Sequence, residues 1–315
     1  HLNRSLDCKT VLRSGNGEEE LSRYTSASLV KVADSLYEDD SHRDKASMLY
    51  KVVTSRKGGD ADEVRNRIKA NLKLWERYTF DFHDVSKAME YLNSASDLAA
   101  ADDGCKAQID YAYAVSYQNM GNHTRDKELY DKALRFYERA FAGLGESQEE
   151  EPEYYDRMTT NYLTLLFSMQ RPIDRKSFTT IRKVKNGGKE NVSSYNIHLY
   201  EGFTALQNGD HRKAASYFRA MRNGLKSGED KELYLSLLNE ATALQQGGRI
   251  SDALKVLSEA DSVTVSADNI EMLVSLSFTK SKYYELAGNR EAAEQASMEY
   301  YRYRDSLLTY RQVTG

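Results

Sequence analysis

Proline is almost missing: Pro152 and Pro172 are the only two in 315 residues. Proline removes a backbone donor and clashes with the preceding helical turn, so its scarcity, beside abundant Ala, Leu, Glu, Lys and Arg, predicts an all-helical chain. Cysteine is equally sparse. Cys8 and Cys105 lie far apart and lack the spacing of metal or redox pairs, so they fit a reducing compartment or one optional disulfide equally well. No run of about 18 apolar residues occurs, so no segment of this sequence spans a membrane. Neither sign of charge dominates: 44 Lys and Arg against 48 Asp and Glu leave a formal net charge of -4. That gives no general attraction to phosphate backbones, and direct binding of nucleic acid is not expected. With 40% hydrophobic and 29% charged residues, there is enough apolar material for a core, which excludes global disorder. His1 stands where an initiator methionine belongs, so the expectation is a processed or trimmed chain, compatible with a removed signal peptide or transmembrane segment.

What is present is a ratchet. In QNGDHRKAASYFRAM, residues 207–221, Gly209 precedes Ala214 by five positions and Phe218 follows four later. Gly248 precedes Ala253, Leu257 and Ala260 in the same way, and Gly288 precedes Ala293. Upstream, Ala133, Tyr137 and Ala140 repeat the second half, with Gly121 as a turn glycine placed seven residues too early. Ala88, Leu92 and Ala95, then Ala46, Tyr50 and Val53, continue the series, and Ser177, Ile181 and Val184 form its weakest copy. The anchors at 46, 88, 133, 177, 214, 253 and 293 differ by 42, 45, 44, 37, 39 and 40. A period of this length marks stacked supersecondary units. A helical segment precedes each anchor, so each unit reads as helix, tight turn, helix. Such a pair buries only one face of each helix and must stack on its neighbours to be stable. Small anchors let the paired helices approach, larger residues a turn later fill the gap to the next unit, and turn glycines suit a left-handed helix end.

The stretch LYEGFTALQNGDHRKAASYFRAM resembles the tetratricopeptide repeat, with Gly202, Gly209, Ala214 and Phe218 on motif positions. The resemblance implies an all-α solenoid, a right-handed superhelix of about seven helix pairs over 17–315, after a polar N-terminal segment at 1–16. It departs from the family in its longer units, in the missing closing proline and in Pro172 at the fourth turn. In that family the first helix of each unit lines a concave groove for a protein or peptide, which places ligand contacts on Tyr111, Gln118, Asn119, Tyr162, Phe203, Gln207, Gln245 and Gln246. The alternative for Tyr111, Tyr162 and Phe203 is a place in the core. Chaperone adaptors of the family clamp a carboxylate through asparagines whose positions here hold Val115, Leu166, Phe203 and Thr242, so that role is not expected.

Ala293, Ala296, Tyr300, Tyr303, Leu307 and Tyr310 form a heptad stripe. It fits either a coiled-coil-like last helix at 290–312, which would offer a homodimer contact, or a final repeat helix packed on its predecessor. The ending EYYRYRDSLL resembles the close of repeat arrays in bacterial sensor proteins, where a periplasmic tetratricopeptide region precedes a transmembrane helix and an output domain. The expected function is therefore a non-catalytic binding scaffold, an extracytoplasmic sensory region of a membrane-tethered regulator. A stand-alone adaptor, a cytoplasmic regulator or an α-helical enzyme are the alternatives. No catalytic constellation, cofactor motif or metal-ligand spacing is legible: the six histidines form no pair, NGGKEN at 186–191 lacks the features of a phosphate loop, and Glu149 to Glu151 reads as a solvated run. Trp75 reads as core.

Overall fold

The computed structural model describes residues 6–13, 17–100, 103–146, 154–176, 192–267 and 269–314. Within them lie fifteen α-helices and no strand. They are α1 (Cys8–Arg13), α2 (Glu18–Leu21), α3 (Ser26–Tyr37), α4 (Arg43–Thr54), α5 (Ala61–Phe80), α6 (Val85–Ala99), α7 (Lys106–Thr124), α8 (Lys127–Glu146), α9 (Tyr155–Ser168), α10 (Ser194–Gln207), α11 (His211–Ala220), α12 (Asp230–Gln246), α13 (Ile250–Ala267), α14 (Ile270–Leu286) and α15 (Arg290–Thr314). Ser177, Ile181 and Val184, the NGGKEN loop and Glu149 to Glu151 lie outside the described residues.

Consecutive helices pack pairwise, and the joints between them explain the period. A left-handed residue follows the end of six helices: His83, Arg125, Gln170, Gly209, Gly248 and Gly288. Their spacings are 42, 45, 39, 39 and 40 residues. At four of them the following residue donates its N–H five residues back, Arg171 to Leu166, Asp210 to Ala205, Arg249 to Leu244 and Asn289 to Tyr284, at 2.8–3.0 Å. That is the Schellman closure, which satisfies carbonyls a helix end leaves orphaned. The next helix then starts on a side-chain cap: Asp84, Asp210 and Asn289 accept from the N–H of Lys87, Lys213 and Ala292. One joint differs from expectation. Gly121 lies inside α7, and Arg125, with φ of 55°, makes the left-handed turn. Gly121 serves closeness instead, because a Cβ there would stand 2.8 Å from the Tyr130 ring.

The chain divides into two compact units, His1–Gln148 with Val313–Gly315, and Glu149–Gln312. In the first, Leu29, Ala46, Leu49, Tyr50, Leu74, Ala88 and Leu92 belong to one buried cluster. In the second, Phe203 stacks on Phe167 with centroids 4.4 Å apart and meets Phe218 edge-on, while Ala214, Ala253 and Leu257 are buried. Within each unit, hydrogen bonds at the repeat distance tie neighbouring hairpins. Arg43 reaches Asp81, 38 residues on, and Trp75 Nε1 donates to Ser116 Oγ, 41 residues on, at 2.9 Å. In the second unit Thr160 donates to Asn196 at 2.7 Å over 36 residues, and Tyr234 to the Met272 carbonyl at 3.1 Å over 38.

Two further expectations meet the structure here. Part of the N-terminal segment is helical, and Val11 of α1 is fully buried rather than polar surface. On the stripe of α15, Ala296 and Leu307 are buried and Tyr300 packs on Phe278 of α14 at 5.3 Å; beside it the Ser281 and Ser297 hydroxyls meet at 2.6 Å. Ala293 and Tyr303, on the same stripe, are half-buried. The Tyr310 side chain lies outside the described residues.

Candidate functional site

The most distinctive surface of the first compact unit runs along the seam between α7 and α8. Residues at i, i+3 and i+7 of a helix share one face. On α7 these are Asp110, Tyr113 and Tyr117; on antiparallel α8 they are Arg139, Phe136 and Lys132. The two stripes meet in register. Tyr113 and Phe136 lie 5.1 Å apart at 24°, Tyr117 and Phe136 5.6 Å apart at 12°, and Tyr113 and Tyr117 6.4 Å apart at 21°. All three rings are half-buried, unlike Tyr50, Tyr137 and Phe218, which are fully enclosed. Three nearly parallel rings held by two rigid helices form an apolar platform at little further cost in side-chain entropy.

A cation stands at each end of the platform, Lys132 beside Tyr117 and Arg139 near Asp110. Lys132 Nζ lies 5.5 Å from the Tyr117 centroid and the Arg139 guanidinium 5.2 Å from that of Phe136. These are cation–π distances. The end toward α6 is rich in acceptors. The Tyr113 hydroxyl donates to Asn93 Oδ1 at 2.7 Å, with Ser96, Asp97 and Asp110 in its neighbourhood. Burial raises the Tyr113 hydroxyl above its ordinary value, and the carboxylates act in the same sense. Asp110 is 8% exposed and makes no hydrogen bond or ion pair with any described residue. Desolvation pushes its carboxyl pKa up, opposed by the charges of Arg139 and Lys106.

The residues expected to contact a ligand fall elsewhere. Phe203 is 1% exposed, Tyr162 6% and Gln118 7%. Gln118 accepts from the buried Tyr137 hydroxyl at 2.5 Å. For Tyr162 and Phe203 this burial is the core placement named as the alternative. Tyr111 is half-buried against the Tyr137 ring at 6.4 Å, and Asn119 is also half-buried. Gln207 is exposed but donates to the Arg171 carbonyl at 2.7 Å, while Gln245 is half-buried and Gln246 exposed at the end of α12.

No family model matches the chain, and no curated protein does. Among the described residues no group of three or more His, Cys, Asp or Glu side chains is placed to hold a metal ion, and no disulfide joins Cys8 to Cys105. No helix is long and apolar enough to cross a membrane among those residues. The α7–α8 seam offers flat apolar area with a cation at each end and acceptors beside Tyr113.

Proposed function

We propose that the chain is a non-catalytic scaffold for protein or peptide recognition, built as a tetratricopeptide-type solenoid of about seven helix pairs. The observation that carries this reading is the half-buried platform of Tyr113, Tyr117 and Phe136. Tyr91 and Tyr217 at the corresponding place of two other hairpins are half-buried as well, stacked on Tyr78 and His198, whereas here three rings of one stack are half-buried beside charged groups. Tyrosine and arginine on rigid elements supply contact area and hydrogen bonding without a large loss of freedom on binding. Support for the family comes from Gly202, whose absent Cβ makes room for the Phe218 ring, and from the Gly209–Asp210 joint followed by buried Ala214.

Within this reading the chain is the extracytoplasmic sensory part of a bacterial regulator, as the resemblance of EYYRYRDSLL to sensor proteins suggests. The binding reading is tested by panning a random peptide display library against the whole chain and against Tyr117→Ala. Enrichment of a shared motif that the variant fails to retain is expected; enrichment indifferent to the variant sinks the assignment of the seam. The sensory reading expects a hydrophobic span and an output domain encoded downstream of Gly315. A stop codon directly after that position overturns it.

A further inference from the structure

We propose that Asn223, followed by Gly224 in the joint between α11 and α12, is a site of spontaneous backbone modification: its side-chain amide is lost to water and the residue becomes aspartate or isoaspartate. Asn208, followed by Gly209 in the same compact unit, is protected by its helix end. The inference is independent of what the chain binds.

An asparagine followed by glycine is open to this reaction because glycine, with no Cβ, leaves its own nitrogen unhindered. The Gly224 nitrogen gives its proton to hydroxide and attacks Asn223 Cγ; ammonia leaves, taking up a proton from water, and a five-membered succinimide closes. Water then adds to one of the two ring carbonyls, breaking its bond to nitrogen and leaving a carboxylate. Addition at the side-chain carbonyl gives aspartate. Addition at the main-chain carbonyl gives isoaspartate, whose main chain runs through Cβ and Cγ. Water is the only co-reactant.

Exposure does not separate the two pairs. All four residues are exposed, and both glycines are left-handed, with φ of 85° at Gly224 and 78° at Gly209 and open space where a Cβ would stand. Hydrogen bonding does separate them. Ring closure needs a free glycine nitrogen and a rotation about the Cα–C bond of the asparagine. The Gly209 N–H donates to the Leu206 carbonyl at 3.0 Å and the Asp210 N–H to the Ala205 carbonyl at 2.9 Å, so turning Asn208 breaks both and opens the Schellman closure of α10. The Gly224 N–H donates to nothing among the described residues. Turning Asn223 breaks the bond from the Leu225 N–H to the Arg222 carbonyl, at 3.2 Å, and leaves both neighbouring helices closed. The product would sit where two hairpins join. A carboxylate at 223 stands next to Arg222, which donates to Glu240 of α12, and isoaspartate lengthens the main chain between α11 and α12.

The experiment incubates the whole folded chain in mildly alkaline water enriched in heavy oxygen and follows it by peptide mapping that separates the asparaginyl, aspartyl and isoaspartyl forms of each pair. The label marks carboxylates formed during the incubation. Asn186, followed by Gly187, lies outside the described residues and is read on its own peptide, apart from the comparison. In the folded chain, conversion at Asn223 is expected to run roughly tenfold faster than at Asn208. The two rates are expected to converge in urea, where neither joint is folded. Asn223→Gln, whose longer side chain would have to close a six-membered ring, should abolish conversion at that position and leave Asn208 unchanged. Equal rates in the folded chain overturn the inference, as does faster conversion at Asn208. A ratio that persists unchanged in urea assigns the difference to local sequence and overturns the part given to the hydrogen bonds. Silence at Asn223 in the folded chain, while the urea-unfolded chain converts there, shows that this joint protects its asparagine too and overturns the site.

Discussion

Gly202 and Gly121 show how one substitution can have opposite signs at two places. A Cβ on Gly202 would stand 2.4 Å from the ring of Phe218, which is fully buried between α10, α11 and Phe203 and has nowhere to move. A Cβ on Gly121 would meet Tyr130 at 2.8 Å, but that ring is half-buried and can swing outward. Glycine to alanine inside a helix gains ~1 kcal/mol of propensity, and forcing a core ring aside costs roughly 1–3 kcal/mol. Gly202→Ala is therefore expected to lower the urea midpoint, with a net loss of about 1–2 kcal/mol, while Gly121→Ala stays within ~0.5 kcal/mol of the parent. A Gly202→Ala protein as stable as the parent would disprove the close approach. Asp110 supplies the second residue-scale prediction. Its folded pKa is raised above the unfolded value, so the folded state binds the extra proton and stability declines as pH rises through the interval between the two. Asp110→Asn removes that penalty: a higher Tm is expected at neutral pH, converging on the parent near pH 4. Thermal melts at both pH values check it, and a destabilised variant at neutral pH would mean that the carboxylate has a stabilising partner.

At the scale of elements, the corner where α4 meets the end of α5 is fastened by charge. Asp81 accepts from Arg43 at 3.0 and 3.1 Å and from Arg77 at 3.0 Å, while Arg77, 9% exposed, also donates to Asp44 at 2.6 Å. Asp81→Ala removes a shared partner from two guanidinium groups, one of them nearly dry, and is expected to cost about 2–3 kcal/mol, below the full penalty of a wholly buried pair. Asp44 is 89% exposed, so Asp44→Ala should cost ~0.5 kcal/mol or less. Equal losses in denaturant midpoints would contradict this ranking. Elements also separate what the sequence discloses from what it hides. The joints at Gly209, Gly248 and Gly288 are legible because glycine advertises a left-handed backbone. His83, Arg125 and Gln170 occupy the same place without announcing it, since other residue types seldom adopt that conformation. Hence Gly121, the nearest glycine, drew the expected joint four residues early. The site was obscured by phase: each residue turns a helix by about 100°, so the two positions separating Tyr111 from Tyr113 exchange a ring packed on Tyr137 for one open to solvent. A stripe search pairing Tyr113 and Tyr117 on α7 with Phe136 on α8 would have found the platform; the missing donor of Asp110 has no signal in sequence.

For the whole molecule, the repeat-length hydrogen bonds from Arg43 to Asp81, Trp75 to Ser116, Thr160 to Asn196 and Tyr234 to Met272 make cohesion a matter of neighbours. In such an array stability is a sum of hairpin terms and interfaces between adjacent hairpins, so damage should spread only a short way along the chain. Gly202→Ala offers the probe, because its clash is confined to α10 and α11. Native-state hydrogen exchange at low denaturant, read by mass spectrometry, is expected to show lost protection in α10, α11 and the adjoining α9 and α12. Protection of α3 to α6, in the other compact unit, should be unchanged. A uniform loss across the chain would mean one cooperative body rather than a chain of neighbour contacts, and a peptide held on the α7–α8 seam would then report to every helix at once instead of first to α6 and to the hairpin that carries it.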